Sequence, residues 1–205
     1  MEMLSSKIER NRYPIDPDIS RIGEATSVIV LRNPWTRLVS GFRDKVSDED
    51  RPRGCFRGIG VNIVSEARGI PEAEVIENNL YPTFAEYARR VARKVRSMND
   101  HFKPQYTCTC HNSVSYDFVI PLEHAGSMAQ ELSGTLGTEI KLLSSYDAAP
   151  DPRTQSSTVK AREWLKELDI ETIDQLYDLF RVDFEMANYS NYTDPNFPLP
   201  LWHHD

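Results

Sequence analysis

Residues 28–45 read VIVLRNPWTRLVSGFRDK, and the order of residue types in that stretch decides the fold. Ser27–Leu31 is a short apolar run rich in β-branched residues, the composition of a buried strand. It stops at Arg32-Asn33-Pro34. Proline suits the first turn of a helix, because the N–H it lacks has no intrahelical partner there. Leu38, Val39 and Phe42 then recur at helical spacing. The unit is strand, tight loop, helix. It sets Arg32 at the carboxyl end of a strand, where ligands gather in open α/β sheets. The helix behind it aims unpaired N–H groups and the positive end of its dipole at the same place. Ser40 lies two helical turns on, with Arg37 and Arg43 on the same element. A guanidinium fork and a hydroxyl on one such unit suit a dianionic phosphate. Taken alone, the same residues also fit a structural ion pair at Arg32 and a solvated Ser40.

Outward from this unit, Val46–Pro71 carries Gly54, Gly58, Gly60, Gly69 and many charges without a clean period, and reads as a long excursion. Thr83–Met98 reads as a second helix, with Phe84, Tyr87, Ala88, Val91 and Val95 along one stripe. Tyr116–Ile120 is a second buried-strand candidate, and Ser127–Leu136 a helix ended by Gly137. Glu139–Leu143 reads as a short strand, Ala148–Ser157 as a linker, and Thr158–Leu168 and Thr172–Phe180 as two last helices. This alternation predicts an α/β fold, a mostly parallel sheet flanked by helices.

With 40% hydrophobic and 10% aromatic residues, the 205-residue chain can bury one good core. Its net charge of −7 excludes a general nucleic-acid binder, which carries a basic footprint. Basic residues crowd Arg32–Arg57 and Arg89–Lys103 while acids dominate from Glu163 onward, so an anionic ligand is expected against the first half. No apolar run reaches the ~18 residues of a membrane span, and Met1–Asn11 has no signal-peptide character. The three cysteines, Cys55, Cys108 and Cys110, do not fix a compartment. Cys108-x-Cys110 beside His111 is one ligand cluster where a zinc site usually needs two pairs, so no metal is expected. Asn188-Tyr189-Ser190 and Asn191-Tyr192-Thr193 are consecutive glycosylation sequons, a hint of the secretory pathway.

The run Arg-Asn-Pro-x-x-Arg-Leu-Val-Ser-x-Phe-Arg-x-Lys from Arg32 resembles the 3′-phosphate motif of the Golgi carbohydrate sulfotransferases, among them the chondroitin and HNK-1 types. The block Asn99-Asp100-His101-Phe102-Lys103-Pro104-Gln105 resembles that family's Asp-x-His-Trp-x-Pro-Gln, with Phe102 for the tryptophan. Cys108-x-Cys110, then Tyr116-Asp117-Phe118-Val119-Ile120 and Glu123, resembles its paired cysteines and Tyr-Asp-Phe-Ile-Gly with a following Glu. Tyr177–Tyr189 resembles its closing aromatic segment.

The resemblance implies a P-loop-NTPase-like sulfotransferase fold and transfer of a sulfuryl group from 3′-phosphoadenosine-5′-phosphosulfate (PAPS) to a glycan hydroxyl. It implies a domain at 25–190, between an extension at 1–24 and a tail at 191–205, and a Golgi setting. Arg32 and Ser40 stand where the family's Arg and Ser hold the 3′-phosphate. His101, in the second block, is the candidate base for the acceptor hydroxyl. Glu123 is expected to hold the strand Tyr116–Ile120 by hydrogen bonds. The basic face Arg89, Arg90, Arg93, Lys94 and Arg96 fits either a solvated helix surface or a groove for an acidic glycan or glycosaminoglycan acceptor.

The family's Lys-bearing phosphosulfate loop precedes its 3′-phosphate motif by many tens of residues, whereas only 31 residues precede Arg32. Lys7 has neither a strand before it nor a glycine beside it. The expectation is therefore an N-terminally truncated domain that transfers sulfate poorly or not at all as it stands. The alternatives are a partial or inactive member that binds nucleotide or glycan without transfer, and an anion-binding module built on the basic helix.

Overall fold

The computed structural model describes residues 26–47, 57–95, 99–109, 115–137 and 157–189. Strand β1 (Val28–Leu31) pairs in parallel with β2 (Phe118–Pro121), Val28 opposite Phe118 and Leu31 opposite Pro121. Below the pair, Asp117 accepts from the Ser27 N–H at 2.8 Å and lies 2.9 Å from its hydroxyl, which fixes the register at the strand start. Among the described residues the strand is not buried on both faces as its composition suggested: Val28 and Val30 remain 40% and 43% exposed, while Leu31 is buried.

Helix α1 (Pro34–Lys45) follows at once, with Pro34 in its first turn. Asn33 caps it, its side-chain oxygen accepting from the Trp35 N–H at 2.9 Å. Its apolar face, Trp35, Leu38, Val39 and Phe42, enters the main core against α4 (Phe84–Lys94) and α7 (Ile170–Met186). The stripe expected on α4 is inside: Phe84, Tyr87, Ala88, Val91 and Val95 are all buried. Phe42 meets Phe84 and the Trp164 ring of α6 (Ser157–Trp164) edge-on, with centroids 5.5 and 5.4 Å away. At Gly41 a Cβ would come within 3.3 Å of the Tyr87 hydroxyl and 3.4 Å of Phe102, so the close approach of α1 to α4 and the Phe102 loop requires a small residue.

Three sequence expectations change. Much of Val46–Pro71 is not an excursion: α2 runs Arg57–Arg68, and α3 (Glu72–Glu77) follows just beyond it. Gly58 and Gly60 weaken helix propensity locally, but Val61, Val64 and Val75 bury together against Ile70 and Leu80, and that packing outweighs the glycines. The last helix continues beyond Phe180 to Met186, because Asp183 and Phe184 are still buried and still on its inner face. The helix expected from Ser127 starts at Ala125; this α5 (Ala125–Leu136) ends at Gly137 with φ +62°, as its glycine foretold. Residues 138–156, with the expected strand Glu139–Leu143, lie outside the described residues. Among the described residues, no helix is long and apolar enough to cross a membrane.

Asp169 caps α7, accepting from the Thr172 N–H at 2.8 Å, and pairs with Arg89 of α4 at 3.0 Å. The hydrogen bonds from Thr172, then that from Arg89, hold its pKa at about 2, below the ordinary 3.8. A depressed carboxylate stabilises the fold above its ordinary pKa and loses that contribution as pH falls through the folded value. Denaturant unfolding between about pH 5 and 2 should therefore show a shallower loss of stability in Asp169→Asn, which keeps a capping oxygen without the charge, than in the parent. Equal slopes in the two proteins would contradict this assignment.

Candidate functional site

Where β1 gives way to α1, the backbone leaves one hydrogen-bond ladder before entering another, and its polar groups need other partners. Side chains from distant segments supply them. The Arg32 N–H donates to Gln105 Oε1 at 3.0 Å, and Gln105 Nε2 donates to the Arg32 carbonyl at 2.8 Å. The Asn33 N–H donates to Glu123 Oε1 at 3.0 Å. The Tyr189 hydroxyl donates to Glu123 Oε2 and lies 3.1 Å from the Leu31 carbonyl. Thr36 closes the set, accepting from Arg32 Nε at 3.2 Å while its hydroxyl lies 3.0 Å from Glu123 Oε1. Glu123 is thus a structural tie, but it holds the β1–α1 junction rather than the strand Tyr116–Ile120.

Gln105 is itself fixed. Its N–H and that of Tyr106 both donate to the fully buried Asp183 carboxylate at 2.7 Å. Burial raises the pKa of Asp183, and the two N–H groups and nearby Arg37 oppose that rise by favouring the charged form. Arg37 donates to the Lys103 carbonyl and, at 3.2 Å, to the Asp100 carbonyl. It therefore pins the loop that carries His101.

A cleft of about 310 Å³ opens along α1 beside this junction. Arg32, Ser40 and His101, the three site residues picked from the sequence, all line it, together with Arg37, Gln105 and Lys45. Arg32 is half-buried, and apart from Nε its guanidinium has no hydrogen-bond partner among the described residues. The Ser40 hydroxyl likewise has none there. His101 is exposed at the mouth, its backbone N–H held by Asn99 Oδ1 at 3.0 Å. The Asp44 carboxylate is paired with Lys45 at 2.6 Å, which lessens its repulsion of an anion. A half-buried guanidinium with two uncommitted nitrogens, beside a free hydroxyl, is equipped to take a phosphate.

The basic face behaves differently. Arg89 pairs with Asp169, and Arg90 and Lys94 share the single carboxylate of Glu66, so only part of its charge is matched; Arg96 lies outside the described residues. Arg93 has no hydrogen-bond or ion-pair partner among the described residues. It lines a second groove of about 310 Å³ with Arg89, Arg90, Glu66 and Glu86. Sequence reasoning missed Gln105, Asp183, Arg37 and Tyr189 as site-builders. Each lies in a quoted motif block, so the signal was present, but only the folded chain shows that the blocks meet at one junction. Cys108 is exposed and free, whereas Cys55, Cys110 and His111 lie outside the described residues.

The pattern of the sulfotransferase family matches residues 7–190, spanning the junction, the cleft and every element described. The chain belongs to the sulfotransferase family. Its relatives include carbohydrate sulfotransferase 12 of Xenopus laevis, 25% identical over 179 residues, which cover 82% of this chain and 41% of that protein. Carbohydrate sulfotransferase 9 of Homo sapiens is 27% identical over 177 residues, covering 83% of this chain and 39% of the relative. Carbohydrate sulfotransferase 11 of Mus musculus is 24% identical over 191 residues, covering 88% and 51%. The chain thus spans about two fifths to one half of these curated relatives. No solved structure matches it. Each of these three relatives carries the name carbohydrate sulfotransferase.

Proposed function

We propose that the cleft beside α1 binds the 3′-phosphate of PAPS, and that the chain contributes this part of a sulfotransferase site acting on a glycan. The observation that carries the reading is the convergence of uncommitted Arg32 nitrogens and the Ser40 hydroxyl on one cleft at a strand–helix junction. The positive end of α1 favours the same anion. Strand, turn and helix in this order, with β1 and β2 parallel, agree with a P-loop-like sulfotransferase fold.

In the reaction, the acceptor oxygen forms a bond to sulfur as the bond from sulfur to the departing 3′,5′-bisphosphate breaks, and the acceptor proton passes to a base. His101 fills that last role, because it lines the mouth of the cleft that holds the nucleotide. Arg32 and Ser40 act by holding the leaving nucleotide in place, a contribution of position and charge. The acceptor is an acidic glycan, and the groove at Arg93 would give it a cationic contact: five cations, Arg68, Arg89, Arg90, Arg93 and Lys94, stand among three carboxylates, Glu66, Glu86 and Asp169.

Calorimetry should find adenosine 3′,5′-bisphosphate bound more tightly than adenosine 5′-monophosphate. Arg32→Ala and Ser40→Ala should each erase most of that advantage, at roughly 1.5–3 kcal/mol for a charge-assisted bond. His101→Ala should leave the binding intact and, in a version extended with a Lys-bearing phosphosulfate loop, lower sulfate transfer from labelled PAPS by roughly a hundredfold or more. Equal affinity of the parent for both nucleotides would overturn the nucleotide reading. On heparin resin, Arg90→Glu with Arg93→Glu should elute at distinctly lower salt than the parent, and unchanged elution would reduce that groove to solvated surface.

A further inference from the structure

We propose that Gln105 is a positioning residue for phosphate recognition, setting the direction of Arg32 through its backbone; this rests on the reading of Arg32 as the phosphate ligand. The carboxamide of Gln105 bonds both polar groups of the Arg32 peptide, the N–H at 3.0 Å and the carbonyl at 2.8 Å. Two opposed bonds from one planar group fix the orientation of that residue as a neighbouring strand would, one residue beyond the end of β1. Arg32 is otherwise held weakly, since only Nε is tethered, to Thr36 at 3.2 Å. The direction of its guanidinium therefore depends on where its Cα is held.

The clamp has a rigid base. The Gln105 main chain hangs from Asp183, whose carboxylate takes the N–H groups of Gln105 and Tyr106. Asp183 sits on α7, whose neighbouring Phe184 packs on Trp35 of α1 with centroids 5.4 Å apart. Core, carboxylate, carboxamide and arginine thus form one chain of contacts ending at the cleft. Because Asp183 holds the backbone N–H groups of residues 105 and 106, Gln105→Met removes the clamp and the lesser contact of the Gln105 side chain with Asp183, and leaves the loop anchored by its main chain.

The test is a double-mutant cycle on binding of adenosine 3′,5′-bisphosphate, measured by calorimetry on the full chain, with thermal unfolding recorded without nucleotide. Gln105→Met should weaken binding about tenfold or more, Arg32→Ala by a similar or larger factor, and the double variant no more than Arg32→Ala alone. A residue that merely stabilises the fold would give losses that multiply. Should Gln105→Met unfold, Gln105→Glu, which keeps an acceptor for the Arg32 N–H but cannot donate to its carbonyl, is read in the same cycle. Parent-like binding by the Gln105 variant while Arg32→Ala binds weakly, or multiplying losses, would overturn the positioning role alone. Unchanged binding by Arg32→Ala would instead remove the phosphate reading itself.

Discussion

Three consecutive residues, Leu31, Arg32 and Asn33, carry the chain from a strand into a helix, and their backbone groups cannot all be paired locally. An unpaired buried peptide group costs about 1–3 kcal/mol, so the junction is viable only if other segments bring partners to it. Gln105, Glu123 and Tyr189 do so from 73, 90 and 158 residues away along the chain. Much of the rest of the structure serves to deliver them. Helix α7 brings Asp183 and leads to Tyr189, the loop before the short turn Gln105–Cys108 brings Gln105, and the end of β2 leads to Glu123.

The same constraint links architecture to chemistry. The distant side chains spent on the junction are one neutral amide, Gln105, one phenol, Tyr189, and one carboxylate, Glu123, which takes the Asn33 N–H. Arg32 and Ser40 are left with unfilled hydrogen-bonding capacity facing the cleft. Arg37, on the same element as Arg32 and Ser40, is committed to two loop carbonyls and holds His101 near the cleft. Among the described residues, Arg68, Arg89, Arg90 and Lys94 pair with Glu86, Asp169 and Glu66. Arg32 differs from these, and from the carbonyl-bound Arg37, in that its two Nη groups have no hydrogen-bond partner among the described residues.

Local features were legible in the sequence and nonlocal ones were not. The strand and helix flanking Arg32, the buried stripe on α4 and the glycine stop of α5 follow from periodicity, proline and glycine, all encoded within about a dozen residues. Helix α2 was hidden because Gly58 and Gly60 break the pattern, while the burial of Val61 and Val64 depends on Val75 from another helix. The family blocks named Gln105 and Tyr189 without a task, and Glu123 with a different one. Linear spacing says nothing about which peptide groups lie unpaired 90 residues away, so Glu123 was assigned to the wrong neighbour.

The central claim is that Arg32, presented by the clamped junction, is the cleft's phosphate ligand. Nitrogen-15 NMR of arginine side chains during titration with adenosine 3′,5′-bisphosphate tests it most directly, with Arg32→Ala identifying the signal. The account predicts that the Arg32 Nη resonances shift and sharpen in proportion to bound nucleotide, while those of Arg93 stay unchanged. A silent Arg32 with shifts confined to Arg89, Arg90 and Arg93 would place the nucleotide in the other groove and contradict it.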